Sequence, residues 1–344
     1  MAQGSFDKDA SMTICGCSPI DVHTHILPPG WEDLASEFGI AGWPSLKQHS
    51  TCQATIMLGE REFRKVTDQC FAPVTRIADM DKTGIGRQLI SPVPVLFCYW
   101  GAPEATARFA AIQNDYIARV VSDYPDRFIG AATVAMQSPK FAIAELERVK
   151  KIGFKCVEIG TNVNGLYPDD AAYEEILTAA EALDMAVFVH PWDGFGEDQI
   201  RRYYLPHMVA LPAETSLSIA RLIVGGVLDR RKTLRVGFAH GGGNFLPLLP
   251  RIDHGYRVRP EMKTGGAGLP SSYLRRLYFD NITHSAETLR QMIAAVGSDR
   301  IMLGSDYPFD MGVAEPIKEL EAANLSASER DDILYRSATE FLKL

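Results

Sequence analysis

Short apolar or β-branched runs alternate with amphipathic stretches along most of this chain. The runs at 19–23, 87–92, 128–134, 156–161, 186–190, 234–240, 277–282 and 301–305 read as eight strands. Between them, 104–122 sets Phe109, Ile112, Tyr116 and Val120 on one face at helical spacing. The stretches 141–151, 170–183, 214–228 and 285–296 repeat that pattern. Most strand runs are apolar almost without interruption, as expected of a parallel sheet covered by helices. Eight strand–helix alternations predict an α/β fold, a (β/α)8 TIM barrel. One segment breaks the rhythm. Residues 27–72, after the first strand, mix Gly, Pro and short alternating runs around Trp31, Trp43, His49 and Arg64. They predict an inserted lid or small hairpin unit over the barrel mouth. Residues 326–344 read as a terminal helix on the outside, and the polar stretch 1–18 as a disordered N-terminal arm, leaving 19–344 for the barrel.

Composition narrows the class. Of the 344 residues, 46% are hydrophobic and 23% charged, with no apolar run long enough to cross a membrane. A formal net charge of −8 argues against a general nucleic-acid binder. The N-terminal stretch lacks the basic and apolar regions of a signal peptide. Cys15, Cys17, Cys52, Cys70, Cys98 and Cys156 are scattered, which fits free thiols in a reducing cytoplasm. Cys15-Gly16-Cys17 has the form of a metal clip, but its place in the arm argues against that role.

The candidate chemistry sits where the strands end. In Asp21-Val22-His23-Thr24-His25, two histidines two positions apart point to the same side of a strand and can share a metal ion. His190, His240 and Asp306 lie at the ends of the fifth, sixth and eighth strand runs. The carboxyl ends of barrel strands are where active sites form. Imidazole nitrogens with one carboxylate oxygen suit a divalent transition metal with a position left open for water. The fourth run, Cys156-Val-Glu-Ile-Gly-Thr161, holds no lysine to carry a bridging carbamate, and Glu158 falls in mid-strand, so one metal ion is expected. Asp21 is expected to orient a ligand histidine or to support the strand end. His240-Gly241-Gly242-Gly243 lacks the Lys-Ser/Thr of a phosphate loop.

These motifs, with His190-Pro191-Trp192-Asp193, Pro212-Ala-Glu-Thr215, His240-Gly-Gly-Gly243-Asn-Phe245 and Gly304-Ser-Asp306-Tyr-Pro-Phe309, resemble the amidohydrolase superfamily. Within it they resemble the branch of 2-amino-3-carboxymuconate 6-semialdehyde decarboxylases, from about Ile20 to the C-terminus. The resemblance implies that His23, His25, His190 and Asp306 are the metal ligands, usually of one zinc ion per chain. It implies that His240 is the acid/base beside a metal-bound water, and that Asp306 relays a proton as well as binding metal. No organic cofactor is implied. Arg64 looks like the family's substrate-binding arginine. Arg251 looks like the arginine that reaches into a neighbouring subunit's site, which implies a homodimer. Arginine's planar fork suits the carboxylates of such a substrate. Trp192 reads as a pocket wall or a core residue.

Departures from the branch fall on the pocket. Gly194 and His207 stand where the family often has Met and Trp, and Leu58 replaces a basic residue upstream of Phe63-Arg64. His207 is either a new hydrogen-bonding group in the pocket or a surface histidine. The expected function is a metal-dependent, non-oxidative decarboxylase of a carboxymuconate semialdehyde in aromatic, tryptophan-type catabolism, acting on a small carboxylate. The alternatives on the same site are a hydroxybenzoate decarboxylase or a C–C, amide or ester hydrolase.

Overall fold

The computed structural model describes residues 18–194 and 200–344. The expected N-terminal arm, apart from Ser18, lies outside the described residues.

Eight parallel strands form the barrel: β1 (Ile20–Ile26), β5 (Arg87–Pro92), β6 (Phe128–Ala132), β7 (Cys156–Gly160), β8 (Ala186–His190), β9 (Val236–Phe238), β10 (Leu277–Asp280) and β11 (Ile301–Met302). They pair in that order. Closure between β11 and β1 runs through the chain that follows β11. The Val22 amide donates to Leu303 O and the His25 amide to Tyr307 O, each at 2.8 Å, and the Asp306 amide donates to His23 O, also at 2.8 Å. The expected (β/α)8 barrel is therefore present. The sixth and eighth strands are shorter than their apolar runs, because the chain turns at Ala239 and Leu303 to present the residues beyond.

Side chains alternate along each strand. One set, including Leu89, Ile129, Ala131, Cys156, Ala186, Phe188 and Met302, fills the barrel interior. The other, including Ile90, Val157, Val187, Val189 and Val236, packs against the surrounding helices. Phe341 and Leu342, in the final helix Ser337–Leu342, join the interior set and close the barrel floor. The terminal helix thus plugs the end opposite the strand tips rather than lying along the wall.

Between β1 and β5 the chain forms a short helix, Leu34–Phe38, and an antiparallel sheet of β2 (Pro44–Ser50), β3 (Gln53–Leu58) and β4 (Arg61–Thr67). Trp43, Ala54, Ile56 and Val66 pack with Phe71, Leu96 and Phe109, which fixes this sheet to the barrel. Arg64 is paired across the sheet with fully buried Ile56, so the packed face of the sheet carries the arginine.

Candidate active site

A register shift in β1 builds the site. Asp21 is aligned with Gln88 of β5, but Thr24 with Ile90, so three steps on β1 face two on β5. Ile20 and Val22 point into the barrel. Strict alternation would next turn Thr24 inward. The extra residue resets the alternation, and His23 and His25 point in instead. Asp21 holds this bulge. Its carboxylate accepts from the His23 amide at 3.2 Å, the Ser305 amide at 3.1 Å and the Ser305 hydroxyl. Of its two expected roles, Asp21 fills the support of the strand end.

His23, His25, His190 and Asp306 converge, with one ligand-capable atom from each lying within 4.8 Å of all the others. All four are buried. His25 Nε2 is 3.2 Å and His23 Nε2 3.6 Å from Asp306 Oδ1. His240 Nε2 lies 3.5 Å from the other oxygen, Asp306 Oδ2. His240 and Asp306 both adopt left-handed backbone conformations, φ 55° and 58°, a strain that recurs at functional sites. It is held by the Asp280 carboxylate on the His240 amide and by His23 O on the Asp306 amide.

The outer nitrogen of each ligand histidine is already engaged. His25 Nδ1 lies 3.0 Å from Pro92 O, His190 Nδ1 2.7 Å from Pro191 O, and His23 Nδ1 2.6 Å from Asp280 Oδ2. A carbonyl only accepts, so His25 and His190 carry their proton on Nδ1. Their neutral rings turn bare Nε2 lone pairs toward the centre. His23 does the same when Nδ1–H donates to Asp280. Buried His190 Nε2 has no hydrogen-bond partner among the described residues, and His23 Nε2 and His25 Nε2 face each other at 3.2 Å. Converging lone pairs around one carboxylate fit a single divalent transition-metal ion.

Electrostatics separate the three imidazoles: for His25, burial works downward, but the Asp306 and Glu158 carboxylates outweigh it and raise its pKa. Burial holds His190 well below the usual imidazole range and lowers His23 as well. For Asp306, burial works upward, but the imidazoles of His240, His25 and His23 around it outweigh that and hold the carboxyl well below its ordinary range. For His240, burial works downward, and its bond to Asp306 outweighs that and raises its pKa. Its ring nitrogen faces the Asp306 oxygen that His23 and His25 leave free.

Two buried carboxylates shape the site in ways the sequence reading missed or misjudged. Asp280, at the end of β10, accepts from His23 Nδ1 and from the amides of His240, Gly241 and Ile282. It ties a metal-ligand candidate to the acid/base candidate. Its signal was available: an aspartate closing the apolar run Leu-Tyr-Phe at 277–279. Glu158 points inward from β7, with Oε1 3.9 Å from His25 Nδ1. Neither of its oxygens completes a hydrogen bond with a described residue. The Ser91 hydroxyl beside it donates to Thr24 O. Burial pushes the Glu158 carboxyl up to about 7.

The rim carries the other expected residues. Trp192 is half-buried and packs against the core. Its Nε1 donates to Asn162 O at 2.9 Å and its ring meets Tyr99 edge-on at 5.3 Å. His207 lies in a π-helical turn, Pro206–Ala210, and stacks on Tyr204 with centroids 4.1 Å apart. Burial, then the charge of Arg64, lowers the His207 pKa, and it also feels Asp306, Asp310 and His240. Its side chain is exposed at the rim. The Arg64 guanidinium lies 4.8 Å from the Phe309 ring centroid, and that ring is 5.7 Å from His25. Arg251 is not brought to this group. Phe245, Leu249 and Asp253 form the buried stripe of the helix Phe245–Val258, and Arg251 is exposed on its other side, with no ion pair to a described residue.

Comparison with known proteins places this geometry. The family model described as Amidohydrolase matches residues 20–344. A Dictyostelium discoideum protein named 2-amino-3-carboxymuconate-6-semialdehyde decarboxylase is 38% identical over 328 residues, 94% of this chain and 91% of that protein. The crystal structure of Metarhizium anisopliae IDCase in apo form superposes with a TM-score of 0.82 at 22% identity, covering 95% of this chain and 97% of that one. A 5-carboxyvanillate decarboxylase from Novosphingobium aromaticivorans, complexed with manganese and 4-hydroxy-3-methoxy-5-nitrobenzoic acid, gives 0.78 at 23% identity, covering 96% and 97%.

Proposed function

The chain belongs to the amidohydrolase family, in its aminocarboxymuconate semialdehyde decarboxylase branch, and from that premise we propose that it decarboxylates 2-amino-3-carboxymuconate 6-semialdehyde or a close analogue without oxidation. The observation that carries this reading is His240. It is an imidazole 3.5 Å from the carboxylate that closes a three-histidine ligand group.

In this reading His23, His25, His190 and Asp306 hold one zinc ion per chain. When bound, the ion supplies Lewis-acid polarisation of a substrate or water oxygen. The protein's own groups do the rest. Asp280 and the carbonyls of Pro92 and Pro191 fix the three imidazoles. Arg64 takes a substrate carboxylate, and Trp192 and His207 wall the pocket. The C–CO2⁻ bond breaks with its electron pair left on carbon, CO2 departs, and His240 delivers a proton to that carbon. Asp306 passes protons to and from His240 through Oδ2. Arg251 serves the pocket of a second copy across a homodimer. No described helix is long and apolar enough to cross a membrane. The described cysteines Cys52, Cys70, Cys98 and Cys156 are free, in keeping with a cytoplasmic setting.

The test is incubation of zinc-loaded protein with the semialdehyde. Loss of the dienal absorbance with stoichiometric CO2 is expected, along with its disappearance on chelation. CO2 released only from hydroxybenzoates moves the substrate to that class. Label from ¹⁸O-water in a new carboxylate, without CO2, replaces the lyase with a hydrolase.

A further inference from the structure

Arg64 already has a carboxylate partner. Its Nη2 donates to Tyr204 Oη at 3.0 Å and to Asp310 Oδ1 at 3.1 Å. Asp310 stands four residues beyond the ligand candidate Asp306, in the turn closed by the Gly312 amide on Phe309 O at 3.0 Å. The arginine comes from β4 of the small sheet and the aspartate from the barrel rim. Phe309, next to Asp310 in the chain, supports the guanidinium with its ring and also lies beside His25. One arm of the fork is therefore occupied at the edge of the site.

The two partners differ in kind. Tyr204 is a neutral acceptor, stacked on His207 and fixed by it. Asp310 is a charged acceptor whose side chain is 81% exposed, and Arg64 is its single hydrogen-bond partner among the described residues. An ion pair so exposed contributes about 0.2–1 kcal/mol. A ligand carboxylate that reaches the fork meets an arginine whose side chain is only 27% exposed. It can engage two N–H groups at once, which makes a stronger charge-assisted pair.

We propose that Asp310 is a specificity-determining residue, an internal carboxylate that holds Arg64 in the empty site and is displaced by a carboxylate of the substrate. This rests on the reading of Arg64 as a substrate-carboxylate seat. Asp310 then sets a threshold. A ligand whose second carboxylate reaches the fork exchanges one ion pair for a better one. A ligand that does not reach it leaves the pair closed and meets the negative charge of Asp310 at the rim.

Calorimetric titration of the zinc-loaded protein with phthalate, an unreactive aromatic dicarboxylate, tests this. Asp310→Asn should tighten Kd by about 1.4- to fivefold, the range spanned by an exposed ion pair. In an Arg64→Gln background the same substitution should leave Kd unchanged, which separates release of the fork from general relief of repulsion. In turnover, Asp310→Asn should lower KM with kcat unaltered. An unchanged or weakened Kd overturns the proposal. So does an equal gain in both backgrounds, or phthalate binding to none of the variants. If the double-mutant cycle holds while no decarboxylation is found, the catalytic reading falls and this one stands. If decarboxylation is found and the cycle is flat, this one falls alone.

Discussion

Glu158 is the residue on which burial acts most nakedly. In an unfolded chain its carboxyl releases a proton near 4.5, whereas in the folded barrel burial holds that proton up to about 7. Between those values the folded state binds more protons than the unfolded state, so this group makes stability fall as pH rises, and the loss is complete above about 7. Glu158→Gln removes the titration while keeping the shape. In metal-free protein, urea unfolding should show the variant gaining on the wild type by roughly 2 kcal/mol between pH 5 and 7.5. A constant difference across that range would mean that Glu158 is already paired. At this scale the sequence was legible where chemistry announces itself. The strand-end histidines and Asp306 stand out because imidazole and carboxylate at the tips of apolar runs have few structural uses. Asp280 and Asp310 did not stand out. An aspartate's meaning depends on which donors the fold brings to it, and both meet partners about forty or more residues away in sequence.

The elements were legible for a different reason. An apolar run and a helical stripe are local properties, and each of the eight barrel strands coincides with one. The β1 bulge is not local. It exists because Asp21 finds Ser305, 284 residues away, and no pattern within 19–26 records that contact. The floor of the barrel is likewise a tertiary event. Phe341 is fully buried, packs against Tyr278 at 5.1 Å between ring centroids, and leaves room at Gly237 for little more than hydrogen. Arg235 Nε donates to Phe341 O and fastens the helix there. Truncating that plug empties a site that the strands cannot close over. Phe341→Ala should cost about 3–5 kcal/mol in chemical denaturation. Because the strand tips are at the opposite end, kcat at low temperature should stay at the wild-type value. A fall in kcat without loss of stability would show that the floor and the site are coupled.

On the scale of the whole molecule, one chain brings together the metal-ligand candidates, His240 and Arg64, yet leaves Arg251 exposed on a helix face turned away from its own packing. Leu248, close by on that helix, and Tyr203, Met208 and Val209 near the mouth are also exposed. Apolar groups of this kind suit contact with another copy. If Arg251 completes a partner's pocket, the site of one protomer uses its own His240 and its neighbour's Arg251. Two inactive proteins, His240→Ala and Arg251→Ala, then complement each other. In the mixed dimer, the protomer carrying Arg251→Ala keeps its histidine and receives an intact arginine, while the other site lacks both. Random subunit exchange in an equimolar mixture makes about half of the dimers mixed, each with one competent site, so about a quarter of wild-type activity should return. If each arginine serves its own chain, every site in the mixture still lacks one group, and activity stays at the level of the separate variants. Exchange can be followed in parallel by mass-tagged dimers, so that silence after complete mixing counts against the shared site.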